Sequence, residues 1–111
     1  MKNDIAAIGN ALVDTVFKVP HELIKELGLE IDQMTLSSAE EHAPIIQRLL
    51  DSGADTMSDC GGSATNSLVA AARLGASCFH VCKVSDDQDG KRYLNSLKDA
   101  GVNHGGLMAK E

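Results

Sequence analysis

"DCGGSATNSLVAAARLGAS", Asp59–Ser77, decides how this chain folds. Two adjacent glycines stand directly ahead of a run of small, helix-forming residues, and a further glycine, Gly75, closes it. The composition predicts a helix from about Gly62 to Leu74 with Gly75 as its C-terminal stop. Gly61 and Gly62 let a neighbouring group approach the backbone closely. The free N–H groups of the first helical turn can donate to oxygens. Ser63 adds a hydroxyl. Asn66 lies one turn on, roughly on the face of Gly62, and its amide both donates and accepts. Such equipment suits a polyhydroxylated ligand. On these six residues alone, a plain helix cap with a tight turn is the better account, because short glycine motifs have many false positives.

The neighbouring segments set this helix in an alternating order. "ADTMSDC" before it is a weak strand candidate, and "SCFHVCKV" after it is a strand candidate rich in β-formers. "SDDQDGKRYLNSLKDAGV" follows, with an N-cap at Asp86 or Asp87, a face of Tyr93, Leu94 and Leu97, and Gly101 as stop. "NHGGLMAKE" reads as loop. Towards the N-terminus, Ile5–Ile8 reads as a buried strand ending at Gly9, and Leu12–Val19 as a second, half-exposed strand. "PHELIKELG" has Pro20 at a helix start and Gly28 past its end. "LEIDQMTLS" alternates imperfectly and reads as another strand. Ser38-x-x-Glu41 is a capping-box pattern ahead of Ile45, Ile46, Leu49 and Leu50. Pro44 is awkward there: either the regular helix starts after it or the first turn is bent. Strand–helix–strand–helix order in the second half predicts an α/β fold with a parallel sheet.

The composition narrows the function. With 111 residues and 43% hydrophobic content the chain is a globular domain or part of one. Aromatics make up only 3%, so the core is poor in large rings and near the margin for this size. The net charge of −6, with Lys and Arg scattered, argues against nucleic acid or an anionic membrane as partner. A nucleotide ligand stays compatible, because backbone N–H groups can hold phosphates. No segment is long and apolar enough to span a membrane, and the N-terminus does not read as a signal peptide. Three cysteines, Cys60, Cys78 and Cys82, fit a reducing compartment, so a cytoplasmic location is expected.

"GGSATN" is neither a Walker loop nor Gly-x-Gly-x-x-Gly, and the turn after the first strand, "GNALVD", lacks the glycines of a dinucleotide fold. That turn does place Asn10 and Asp14 just beyond an apolar strand. Ligands of open α/β sheets bind beyond the strands' C-terminal ends. A carboxylate there can accept from neighbouring sugar hydroxyls, although Asp14 could equally just end a strand in solvent.

Taken together, "IGNALVD", "GGSATNSLVAAARLGA" and "KVSDDQDGKRYLNSLKDAGV", in this order and spacing, resemble the N-terminal part of the ribokinase-like carbohydrate and nucleoside kinases, the PfkB family. The resemblance runs from about Ile5 to Val102, and the early Gly9-Asn10-x-x-x-Asp14 with Ser63 after the paired glycines is closer to the adenosine-kinase-like branch. It implies a partial ribokinase-like fold, a parallel sheet with flanking helices and a small β lid, with lid strands at about 12–19, 30–36 and 55–59. It implies that Asp14 holds ribose hydroxyls, that Asn10 sits beside it, and that Gly62, Ser63 and Asn66 contact the sugar while Gly61 shapes the turn. Asp89 stands where relatives often have an aromatic, and Ser85 where glycine is common. The family's catalytic Asp in Gly-Ala-Gly-Asp, its anion hole, its ATP pocket and its Asn-x-x-Glu metal motif do not occur in this sequence. ATP and magnesium are therefore implied for the full-length family, with no cofactor bound by this chain.

The remaining polar residues read more plainly. Cys78 and Cys82, four apart on a strand, are expected to be buried free thiols and not zinc ligands. The four histidines show no ligand spacing, and His80 is expected at a half-buried or edge position. Asp86, Asp87 and Asp89 suit helix capping better than a calcium loop. The expectation is thus a substrate-binding portion of an ATP-dependent sugar or nucleoside kinase, inactive by itself. The alternative is a non-catalytic remnant acting only by binding sugar or another chain. Self-association, or pairing with a missing C-terminal part, follows from apolar edges left uncovered.

Overall fold

The computed structural model describes residues 2–105 and 107–109, the last three by backbone alone. The elements in order are β1 (Ile5–Ile8), β2 (Leu12–Phe17), α1 (His21–Glu26), α2 (Ala39–Asp51), β3 (Thr56–Gly61), α3 (Ser63–Arg73), β4 (Cys78–Val81), β5 (Lys83–Ser85), α4 (Gln88–Asp99), β6 (Val102–His104) and β7 (Leu107–Ala109). They form two compact units, Met1–Thr15 with Ser58–Glu111, and Val16–Met57.

The larger unit is built on a parallel sheet of order β1-β4-β6, as the alternating strand–helix pattern predicts. The register places Ile5, Cys78 and Val102 in one row and Ala7, His80 and His104 in another. Side chains two apart share a face, so both rows point the same way. The helices α3 and α4 pack on that face, and the core between them and the sheet is Leu68, Cys78, Cys82, Val84, Tyr93, Leu97 and Val102. Tyr93 is the largest fully buried side chain in this ring-poor core. Asp87, one of the two expected caps, accepts from the Gly90 amide at 2.8 Å. A Cβ on Gly90 would collide with the Ser85 carbonyl, so glycine there is what lets the first turn of α4 sit on the end of β5. Asp89 is exposed in that turn and pairs with Arg92 at 3.4 Å.

The smaller unit holds α1 and α2. Leu23 is its buried side chain, and Arg48 reaches Glu26 through two nitrogens, the shorter contact at 3.0 Å. The capping box forms in full: Ser38 Oγ accepts from the Glu41 amide at 3.2 Å and the Glu41 carboxylate accepts from the Ser38 amide at 2.9 Å. The helix therefore starts at Ala39 and carries Pro44 inside it. Residues 39–44 are all exposed, so water can serve the Glu40 carbonyl that Pro44, lacking an N–H, leaves without its donor.

Three expectations are corrected. No strand forms at 30–36: Asp32 has φ 61°, in the left-handed region, which breaks the extended run, and every side chain there is exposed. The C-terminal segment read as loop forms β6 and β7, each gaining a partner in β4 or β5 that is distant in sequence. "SCFHVCKV" is two strands, because the chain leaves the sheet at Cys82 and pairs next with β7. The strands read at 12–19 and 55–59 are β2 and β3, which pair with each other. Thr15 hydrogen-bonds Ser58 at 3.0 Å, while the Lys18 amide donates to the Asp55 carbonyl at 3.0 Å. One strand advances as the other retreats, so the pair is antiparallel.

Candidate functional site

All six expected site residues lie in the larger unit, around the start of α3. The strand β2 alternates, turning Val13 towards the core and Asp14 outward. The last residue of β3 is Gly61, which is buried, and the Asp14 carboxylate lies directly against its α-carbon. Any Cβ on Gly61 would occupy the place of that carboxylate. Gly62 caps α3 with φ 98°, a conformation that favours glycine. A Cβ on it would stand 3.2 Å from the Asn10 carbonyl and 3.5 Å from the Leu12 side chain. Glycine pair, Asp14 and the backbone of Asn10 thus form one close cluster.

The first turn of α3 is left open to a ligand. No side chain caps it, and it carries no acidic residue. The amides of Ser63, Ala64 and Thr65 fall in the group that a helix cannot satisfy internally, whereas the Asn66 amide donates to the Gly62 carbonyl at 2.9 Å. The positive end of the helix dipole adds to their pull on electron-rich oxygens. Ser63 is exposed at this turn. Asn66 is exposed as well, and it lines a cavity of about 440 Å³ together with Ser58, Asp59, Cys60, Arg73 and Asp99. The Asp14 side is not part of that lining, so the structure groups Asp14 with the glycines and gives Asn66 a second environment. A separate cavity of about 290 Å³ lies beneath Leu12, between β2 and the first turn of α4.

Sequence reasoning missed the residues that hold this turn in place. Gly9 ends β1 against Ala64: a Cβ on Gly9 would lie 2.7 Å from the Ala64 methyl. Thr65 and His80 are fully buried. Thr65 Oγ1 lies 2.7 Å from the Tyr93 hydroxyl and 3.3 Å from His80 Nε2, and His80 Nδ1 lies 3.4 Å from the Ala7 carbonyl. The expectation of a half-buried or edge histidine is corrected: β4 is the central strand, and His80 is buried there because hydrogen-bond partners from β1 and α3 meet it. Only the small Gly9 and a hydroxyl at Thr65 hinted at this in the sequence.

The thiols are free, as read. Burial pushes the Cys82 thiol and the Tyr93 hydroxyl up, and at Cys60 burial and the neighbouring Asp59 carboxylate both act upward. These are inert, protonated groups at neutral pH. Among the described residues no three His, Cys, Asp or Glu side chains gather as a metal site.

The pfkB family carbohydrate kinase profile matches residues 34–111, more than two thirds of the chain. The ribokinase of Bacillus subtilis (strain 168) is 57% identical over 42 residues, covering 38% of this chain and 14% of that protein. The adenosine kinase of Trypanosoma brucei brucei superposes with a TM-score of 0.80 at 23% identity, covering 97% of this chain and 34% of the other. The adenosine kinase of Schistosoma mansoni, solved in complex with 2-fluoroadenosine, gives 0.75 at 19% identity, covering 96% and 31%. The chain therefore spans about a third of the length of these kinases. The profile match over residues 34–111, with the ribokinase-like fold beside it, leads to one conclusion: the chain belongs to the pfkB family of carbohydrate kinases.

Proposed function

We propose that this chain is the sugar-facing portion of an ATP-dependent kinase whose substrate is a nucleoside or free sugar. The observation that carries the reading is the Asp14 carboxylate set against the bare α-carbon of Gly61 at the open start of α3. A carboxylate accepts two hydrogen bonds from neighbouring hydroxyls, and charge-assisted bonds of this kind are the strong ones. The uncapped amides at Ser63 and beyond donate to a ring or hydroxyl oxygen. Asn10 and the Ser63 hydroxyl complete a polar rim, while Asn66 serves the ligand from the neighbouring cavity that it lines. The antiparallel pair β2–β3 carries Asp14 and Gly61, and acts as part of the family's lid. A nucleoside is favoured over a free sugar by the Schistosoma mansoni neighbour, which is solved with a nucleoside analogue.

Phosphoryl transfer is mostly positioning and electrostatic stabilisation of the transferring group. In this reading the residues of this chain bind and orient the sugar. The ATP, the magnesium and the catalytic base belong to the remainder of the family fold. The free thiols suit a reducing, cytoplasmic setting.

Two measurements test this. Calorimetric titration of the 111-residue chain with adenosine and with ribose is expected to show weak, saturable binding that Asp14→Asn abolishes. A coupled ADP-release assay over several nucleosides and sugars is expected to show no turnover. Turnover by pure protein overturns the division of labour, and binding that survives Asp14→Asn unchanged overturns the site.

A further inference from the structure

A chain of buried polar groups, which shares Tyr93 with the core, runs behind the site. Thr65 sits in the first turn of α3, between Ser63 and Asn66, yet its side chain points inward and is fully buried. Its hydroxyl meets two groups from other elements, the Tyr93 hydroxyl of α4 and His80 Nε2 of β4. His80 Nδ1 in turn meets the Ala7 carbonyl of β1, three residues before Asn10. The direction of the hydrogens follows from the ends of the chain. A carbonyl only accepts, so His80 Nδ1 carries the hydrogen and donates to Ala7. In the neutral ring His80 Nε2 then accepts from the Thr65 hydroxyl, and the Thr65 oxygen accepts from Tyr93. Every member is satisfied, and no buried side-chain nitrogen or oxygen among the described residues lacks a partner.

A purely apolar contact would bury as much surface without fixing a rotation of the helix. Hydrogen bonds are directional, and three of them aimed at one hydroxyl and one ring leave the first turn a single orientation. Both halves of the candidate site hang from this chain: Gly62, Ser63 and Asn66 on the turn, and Asn10 beyond the end of β1. We propose that Thr65 is a positioning residue, acting through His80 and Tyr93 to hold the first turn of α3 against β1 in the geometry that binds the sugar. The proposal rests on the substrate reading above for its ligand, and on the buried chain itself for its mechanism.

The test uses the labelled 111-residue chain with the Thr65→Val and Thr65→Ser variants, each verified as folded by circular dichroism. Long-range proton–nitrogen spectra of the wild type are expected to show His80 protonated on Nδ1. Thr65→Val is expected to shift the ring signals, and Thr65→Ser to restore them. Hydrogen exchange at the Asn66 amide, measured against Leu97 as internal reference, is expected to quicken about tenfold in Thr65→Val and to recover in Thr65→Ser. Adenosine affinity per folded molecule is expected to fall about tenfold in Thr65→Val, the size of one net hydrogen bond, and to recover in Thr65→Ser. A role in stability alone would leave that affinity unchanged once the protein is folded. If Thr65→Val does not fold, Tyr93→Phe removes one hydroxyl and is read the same way. A wild-type His80 protonated on Nε2, unchanged Asn66 exchange, or unchanged adenosine affinity in a variant of a wild type that binds, each overturns the proposal. A wild type that binds neither adenosine nor ribose sinks the substrate reading, and the ring signals and the Asn66 exchange still decide the positioning of the turn.

Discussion

Asp14 and Gly61 are the residues whose identities constrain each other most tightly. The carboxylate occupies the space that any side chain on Gly61 would need. Gly61→Ala is expected to swing the Asp14 side chain away, since the end of a side chain yields more readily than the backbone. Sugar binding should then weaken about as much as in Asp14→Ala, roughly 10- to 100-fold for a lost charge-assisted hydrogen bond. The double variant should be no worse than either single one, because both remove the same interaction. Titration with adenosine across the three variants checks this; additive losses would show two independent contacts. Gly61, Gly62 and Asp14 were legible because glycine marks close approach and a carboxylate after an apolar strand marks a sheet's ligand end. His80 was not legible. Its burial depends on Thr65, fifteen positions before it, and on Tyr93, twenty-eight positions after Thr65, which meet only after α3 and α4 dock.

At the scale of elements, helix boundaries were the most readable feature because their causes are local. Gly28, Gly53, Gly75 and Gly101 all take positive φ just past a helix, and the Ser38–Glu41 box forms as spelled. The strands β6 and β7 were unreadable for the opposite reason: three residues carry no periodicity, and only pairing with β4 and β5 makes them strands. Pro44 lies between these cases. Its surroundings tolerate it, but an internal proline still costs a helix about 3 kcal/mol relative to alanine, part of which is returned through a less flexible unfolded chain. Pro44→Ala is therefore expected to stabilise the protein by roughly 2 kcal/mol, and Ser38→Ala to destabilise it by about 1 kcal/mol. Urea denaturation followed by circular dichroism reads both. The packing of α3 and α4 on β4 carries a pH dependence too. Burial raises Cys82 and Tyr93, and raises Cys60 with help from Asp59, so folding favours their neutral forms. The stability they contribute is complete below the ordinary thiol and phenol values, about 8.5 and 10, and is lost as pH rises through the higher folded-state values. The urea midpoint should hold steady to about pH 8 and then fall, with Tyr93→Phe flattening the upper part of the decline.

At the scale of the whole molecule, the parallel sheet is covered on one face only by the helices described. The core face, with Cys78, His80 and Val102, meets α3 and α4. The opposite row sets Ile8 beside Val81 by register, and Ile8 is 82% exposed. Such a pair at the edge of a sheet, with β1 as its outer strand, presents both apolar surface and unpaired backbone groups. The net charge of −6 opposes association only over distances comparable to the Debye length, about 8 Å in physiological salt. Short-range burial of this face therefore decides the outcome. The 111-residue chain prepared by itself is expected to self-associate with rising concentration, and to do so more strongly as salt screens its charge. Ile8→Lys places a charge in the middle of the apolar row and should shift the equilibrium towards monomer. Its effect on stability should be small, because an exposed side chain has little burial to lose. Light scattering coupled to size exclusion, run over a concentration series at low and high salt, separates the possibilities. A sharp monomer at every concentration in the wild type would show that this face is indifferent to other copies of the chain. Association unchanged by Ile8→Lys would place the contact elsewhere, on the exposed apolar residues of the smaller unit such as Met34 and Leu36.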